Sequence, residues 1–147
     1  MSGTEIQPYL FFGGRCDEAI AFYREALGAQ LDFLMRYHES PDPVPEGMLA
    51  PGFENKVMHA TIRVGNACFM ASDGCDDKAR FEGFRISLGL PDEAAAGRAF
   101  AALTEGGTVD MPLMKTFWSP CFGMVTDRFG LGWMVTVNTA APPTPAD

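Results

Sequence analysis

Asp17-Glu18-Ala19-Ile20-Ala21-Phe22-Tyr23-Arg24-Glu25-Ala26-Leu27-Gly28 is answered about half a chain later by Asp92-Glu93-Ala94-Ala95-Ala96-Gly97-Arg98-Ala99-Phe100-Ala101-Ala102-Leu103-Thr104-Glu105-Gly106. Each stretch opens Asp-Glu-Ala, carries apolar residues at three- and four-residue spacing, and closes at glycine. That is the pattern of an amphipathic helix with acid at its positive end and a left-handed stop. In the first, Ala19, Ile20, Phe22, Tyr23, Ala26 and Leu27 make the apolar face; in the second, the smaller Ala95, Ala99, Phe100, Ala102 and Leu103 do so. Two copies of one supersecondary module are the economical reading.

The surroundings of the two helices repeat as well. Leu10-Phe11-Phe12 leads into the first and Ile86-Ser87-Leu88-Gly89-Leu90 into the second. After the first helix, residues 30–37, 57–64 and 67–72 read as strands from their alternation and their β-branched and aromatic content. After the second, residues 108–113, 122–126 and 133–137 read likewise. The predicted order is β-α-β-β-β, twice, an α+β class. If the two sheets face each other, such a repeat forms a half-open concave barrel.

At 147 residues and 47% hydrophobic, the chain is one domain's worth with material for a real core. The expected organisation is module one over about 5–72, a charged hinge over 73–83, module two over about 84–139 and a proline-rich, disordered tail over 140–147. No uncharged apolar run reaches membrane-spanning length, and no basic region followed by an apolar core opens the chain, so a cytoplasmic location is expected. The formal net charge of −8 argues against nucleic acid and against an anionic membrane surface. A small-molecule ligand or a protein partner remains.

Cys16, Cys68, Cys75 and Cys121 show neither a C-x-x-C pair nor zinc-ribbon spacing and read as small buried hydrophobes. Cys16 stands apart because it lies at a helix start, where the dipole can lower a thiol pKa. Residues 38–55 carry Pro41, Pro43, Pro45 and Pro51 with Gly47 and Gly52. A connection that long is a lid, an interface arm or a disordered excursion. His38 before it reads as a surface residue and Trp133 as core.

Taken together, Pro8-Tyr9-Leu10, Gly28-Ala29, His59-Ala60, Ser72-Asp73, Thr116-Phe117-Trp118, Phe122-Gly123, Val125-Thr126-Asp127, Phe129-Gly130 and Trp133-Met134 resemble the vicinal oxygen chelate superfamily, which includes glyoxalase I, bleomycin-resistance proteins and extradiol dioxygenases. Within it the chain is most similar to the PhnB-like branch. The resemblance implies a glyoxalase-like fold. Metal-dependent members place His or Glu on the first, fourth, fifth and eighth strands. By that correspondence the positions here are Pro8, Met70 or Ser72, Phe84 or Ile86, and Met134. None is a good ligand for a hard or borderline divalent metal, so no metal and no cofactor are expected. No Gly-rich loop follows a parallel strand either, so methyl transfer from a nucleotide-like cofactor is not expected.

Alternation along the third strand puts Met58, Ala60, Ile62 and Val64 on one face and His59, Thr61 and Arg63 on the other. With the apolar set under a helix, His59 and Arg63 can grip an anionic group, or they can be solvated on an open sheet face. Ser72 and Ser87 are candidate hydroxyls of the same cavity, or ordinary serines. Trp118, beside Phe117 and Ser119-Pro120, can close a pocket or pack at a dimer interface. Met70, Met114, Met124 and Met134 supply an adaptable lining or plain core.

Two functions follow. One is a metal-free protein that binds or sequesters a small, anionic or aromatic ligand through His59, Thr61, Arg63, Ser72, Ser87, Trp118 and Met134. The other is a glyoxalase- or dioxygenase-type enzyme with an off-pattern divalent metal site that involves His59. Open sheet edges, and the habit of the superfamily, lead us to expect a homodimer.

Overall fold

The computed structural model of the protein describes residues 3–138; the expected tail over 140–147 lies outside them. The chain forms two compact units, Met1–Arg80 and Phe81–Asp147, whose boundary in the sequence falls within the charged stretch read as a hinge. Each carries one βαβββ module.

In the first unit the order is β1 (Tyr9–Phe11), α1 (Cys16–Leu27), β2 (Gln30–Arg36), β3 (Val57–Val64) and β4 (Ala67–Ser72). The sheet runs β1-β4-β3-β2, with β1 parallel to β4 and the other pairs antiparallel. Cys16, Ala19, Ile20 and Tyr23 of α1 are buried, as are Ala60 and Ile62 of β3 and Phe69 and Ala71 of β4. The Tyr23 ring stands edge-on to Phe69, centroids 6.2 Å apart. Gly28 ends the helix at φ 67°, a conformation L side chains resist, and its N–H reaches the carbonyl of Arg24.

The second unit repeats the plan: β5 (Ile86–Leu90), α2 (Glu93–Thr104), β6 (Thr108–Met114), β7 (Phe122–Thr126) and β8 (Gly132–Val137), in sheet order β5-β8-β7-β6. Ala96, Ala99, Phe100 and Leu103 bury against a sheet face that includes Val125, Trp133 and Val135. The missing side chain of Gly123 makes room for Phe100, since a Cβ there would come within 2.9 Å of its ring. The turn after β7 is organised by Asp127. Its carboxylate accepts the N–H groups of Phe129 and Leu131 and the indole N–H of Trp133.

The two Asp-Glu-Ala openings, alike in sequence, are used differently. Asp92 is a true N-cap whose carboxylate accepts the Ala95 N–H at 2.8 Å. Asp17 already lies inside α1 and is engaged by both terminal nitrogens of Arg36. The start of α1 is capped instead from across the module: buried Asp73 accepts the N–H groups of Gly14, Cys16 and Val57. Asp73, expected in the hinge, is therefore a fastening inside the first unit.

That fastening also reverses the expectation for Cys16. The thiol is buried beside the Asp73 carboxylate, and desolvation, reinforced by Asp73 and then Asp17, pushes its pKa well above the usual thiol range. The helix dipole does not win here. Residues 38–55 are tied down as well. Phe53 is buried, the Ala50 N–H reaches the Cys75 carbonyl, and Tyr37 hydrogen-bonds Gly74 through its hydroxyl and Lys56 through its N–H.

Candidate functional site

The helix-covered face of each sheet is core, so the candidate side chains are those of the opposite, open face. In the first unit, β3 sends Ala60 and Ile62 toward α1 and turns His59, Thr61 and Arg63 to the open side, the division the alternation predicts. One row of that face reads Tyr9, Met70, Thr61, Phe33 across β1, β4, β3 and β2.

His59 is the centre of an aromatic cluster. The Tyr9 hydroxyl lies 2.8 Å from its Nδ1. The rings of Tyr9 and Phe33 flank the imidazole at 5.5 and 6.0 Å, and Phe11 stands 5.1 Å from Tyr9. Phe11 and Phe33 remain 48% and 47% exposed and Tyr9 38%, so these rings face solvent rather than core. Burial raises the Tyr9 phenol above its ordinary pKa, with the nearby Tyr37 adding to the effect. At neutral pH the hydroxyl keeps its proton.

The other candidates of this unit have different employment. Arg63 spreads its guanidinium over Asp32, at 3.1 and 3.3 Å, and Gln30, at 2.6 Å. Ser72 is buried; its hydroxyl donates to the Val57 carbonyl and accepts the Gly74 N–H. Thr61 shares the row with Met70 and Phe33. A separate groove of about 770 Å³ runs between α1 and β2, lined by Ile20, Leu31 and Leu34, but His59 does not line it and its charges Asp17 and Arg36 pair with each other.

On the open face of the second unit, Ser87, Met134, Met124 and Met111 form one row. A cavity of about 550 Å³ is lined there by Phe81, Phe84, Arg85, Met124, Thr126 and Met134. Arg85 lies over Gly132, where a Cβ would meet its side chain at 3.0 Å. Its guanidinium donates to Asp110 at 2.9 Å and to the carbonyls of Val125 and Trp133. Asp110 also accepts the Thr126 hydroxyl, and these two donors hold its carboxyl below the usual range. Trp118 is half-exposed, edge-on to both Phe117 and Phe122, on a loop pinned by the buried Ser119 hydroxyl.

Sequence reasoning passed over Tyr9 and Arg85. The signal was parity: Tyr9 alternates with buried Leu10, and Arg85 shares the parity of Ser87. The same parity corrects the strand positions at which a metal would be held. In the first unit the open-face residue of β1 is Tyr9, not Pro8, and that of β4 is Met70. In the second they are Ser87, since Ile86 is in register with buried Trp133, and Met134. Neither the phenol and thioether of the first unit nor the hydroxyl and thioether of the second fit a divalent metal. Among the described residues no three of His, Cys, Asp and Glu come together to hold one.

Known proteins place this architecture. Residues 5–135 match the model of the Glyoxalase/Bleomycin resistance protein/Dioxygenase superfamily. Protein YjdN of Escherichia coli (strain K12) is 34% identical over 145 residues, covering 93% of this chain and 97% of YjdN. Among solved structures, PA1353 from Pseudomonas aeruginosa shares 41% identity with a TM-score of 0.80, over 92% of this chain and 98% of PA1353. A Bacillus cereus PhnB protein, described as a putative 3-demethylubiquinone-9 3-methyltransferase, shares 26% identity with a TM-score of 0.75, over 92% of this chain and all of that one. With an α+β fold of two βαβββ modules and relatives that span nearly its whole length, the chain belongs to the glyoxalase/bleomycin resistance/dioxygenase superfamily, in its PhnB-like, YjdN-type branch.

Proposed function

We propose that this protein binds or sequesters a small, planar molecule on the open sheet face around His59, without a metal. The observation that carries the reading is the Tyr9–His59 hydrogen bond set among solvent-facing aromatic rings. A polar pair inside an apolar surround orients a ligand while the rings supply contact area. The metal-dependent alternative through His59 gains no support, because among the described residues no three of His, Cys, Asp and Glu come together. Methyl transfer, the description given to the Bacillus cereus relative, has no support in a cofactor loop of this chain.

The reading includes a homodimer in the cytoplasm that engages neither nucleic acid nor membrane. The acidic balance of the chain speaks against nucleic acid and anionic membrane surfaces, and four free cysteines accord with a reducing compartment. The test is elemental analysis of chelator-treated protein, with thermal-shift scans over divalent metals and over a panel of planar aromatic compounds. The expected result is no stoichiometric metal, no stabilisation by metals, and stabilisation by members of the aromatic panel. A near-stoichiometric metal that disappears in His59→Ala overturns the reading in favour of the enzyme.

A further inference from the structure

We propose that Tyr9 is a positioning residue that holds His59 as a hydrogen-bond donor, and that the pair selects planar aromatic molecules bearing a carboxylate; this rests on the binding reading above. The argument begins with the proton. The Tyr9 hydroxyl lies 2.8 Å from Nδ1, and in the arrangement proposed here the phenol, which keeps its hydrogen, donates to that nitrogen and the imidazole proton sits on Nε2. Nε2 has no hydrogen-bond partner among the described residues, so its N–H is the donor left for a ligand.

Its surroundings determine what that ligand is. Tyr9 and Phe33 stand on two sides of the imidazole and Phe11 extends the surface beyond Tyr9, so a flat apolar body meets rings while its acceptor meets the N–H. Within the four strands of this unit the sole acidic residue is Asp32, and its carboxylate is held by Arg63. An anion at His59 therefore faces no unpaired carboxylate on the strands. A charged acceptor also strengthens the bond from an imidazole N–H beyond what a neutral one gives.

Nitrogen NMR of ¹⁵N-histidine-labelled protein, combined with titration of 2-naphthoate and 2-naphthol by calorimetry, tests the proposal. The wild-type spectrum should show His59 protonated at Nε2 with Nδ1 as acceptor, and Tyr9→Phe should release it into a tautomer mixture without loss of the folded circular dichroism signal. 2-Naphthoate should bind more tightly than 2-naphthol, and Tyr9→Phe should weaken it about fivefold to tenfold, the scale of one net hydrogen bond. His59→Gln, whose amide N–H reaches the Nε2 position, should retain more affinity than His59→Asn. An unchanged tautomer and unchanged affinity in Tyr9→Phe overturn the positioning role. Equal binding of the two probes overturns the ligand class and leaves the binding reading standing, and failure of both probes while other neutral aromatics bind does the same. Stabilisation by a metal with no aromatic bound overturns the binding reading itself.

Discussion

Asp73 shows how much one side chain can hold. It is buried, and its two oxygens satisfy three backbone N–H groups, from the turn before α1, from the first residue of α1 and from the first residue of β3. Asp73→Ala leaves those donors without partners at about 1–3 kcal/mol each before relaxation, so a loss of about 3 kcal/mol or more is expected in urea unfolding. Asp73→Asn should cost less than Asp73→Ala yet still destabilise, because one oxygen can serve Gly14 and Cys16 while the amide N–H₂ faces the Val57 N–H. Cys16 beside it makes a second prediction. Its thiol pKa is raised in the folded state, so its contribution is fully present below the unfolded-chain pKa and is lost progressively as pH rises from there toward the folded pKa. Between pH 8.5 and 9.5 the wild type should lose about 1 kcal/mol more than Cys16→Ala, from ionisation of the unfolded thiol near pH 8.5. Denaturant titrations at both pH values check this; parallel curves would mean the thiol ionises in place. The facing of His59, Thr61 and Arg63 was legible in the sequence because alternation is local. The bond from Tyr9 to His59, the cap from Asp73 and the capture of Arg63 by Asp32 were not. Each depends on which strands become neighbours, and above all on the parallel β1–β4 register, which no local pattern encodes.

Among the elements, the two helices compare closely because their sequences begin alike and their ends are built differently. Asp92 caps α2 directly, so Asp92→Ala should cost about 1 kcal/mol. Asp17 makes a half-exposed ion pair with Arg36, and its replacement by Ala should cost well under 1 kcal/mol. Thermal unfolding of the two variants side by side checks the ranking; equal losses would place the α1 cap at Asp17 after all. The strand boundaries followed from alternation and glycine turns almost residue for residue, whereas the position of each Asp relative to its helix start did not, since a cap depends on backbone direction before the first turn. Packing of helix on sheet is just as particular at Gly123. Its Cβ would be 2.9 Å from Phe100 and 3.0 Å from the Met111 carbonyl, so neither neighbour has room. Gly123→Ala should destabilise by about 1–3 kcal/mol through displacement of α2, and Phe100→Leu in the same chain should recover part of that loss in the same melting experiment.

Over the whole molecule the telling property is apolar side chains left in water along one stretch. Val109 and Met114 on β6, and Phe117 and Trp118 in the loop that follows, are each exposed by two-fifths or more, Phe117 almost wholly. β6 is an edge strand of the second sheet, yet it contains Pro112, and its pairing with β7 shifts register twice. Proline and bulges spoil an edge as a template for adding a strand, so association there proceeds through side chains rather than through a continued ladder. Monomers seldom leave a run of such residues uncovered, which supports the proposed homodimer, with Phe117 and Trp118 as its proposed contacts. Light scattering at micromolar concentration should return about 32 kDa, twice the 15.9 kDa chain. Met114→Asp with Phe117→Asp should bring the mass to that of one chain while circular dichroism keeps its helical signal, because neither side chain contributes to the core. A wild-type mass of one chain would sink the dimer. A dimer indifferent to both substitutions would move its interface away from β6, and the exposed rings of the first unit, Phe11 and Phe33, would then be the next surface to charge. That result would set ligand and partner in competition for one face, and 2-naphthoate would shift the dimer equilibrium.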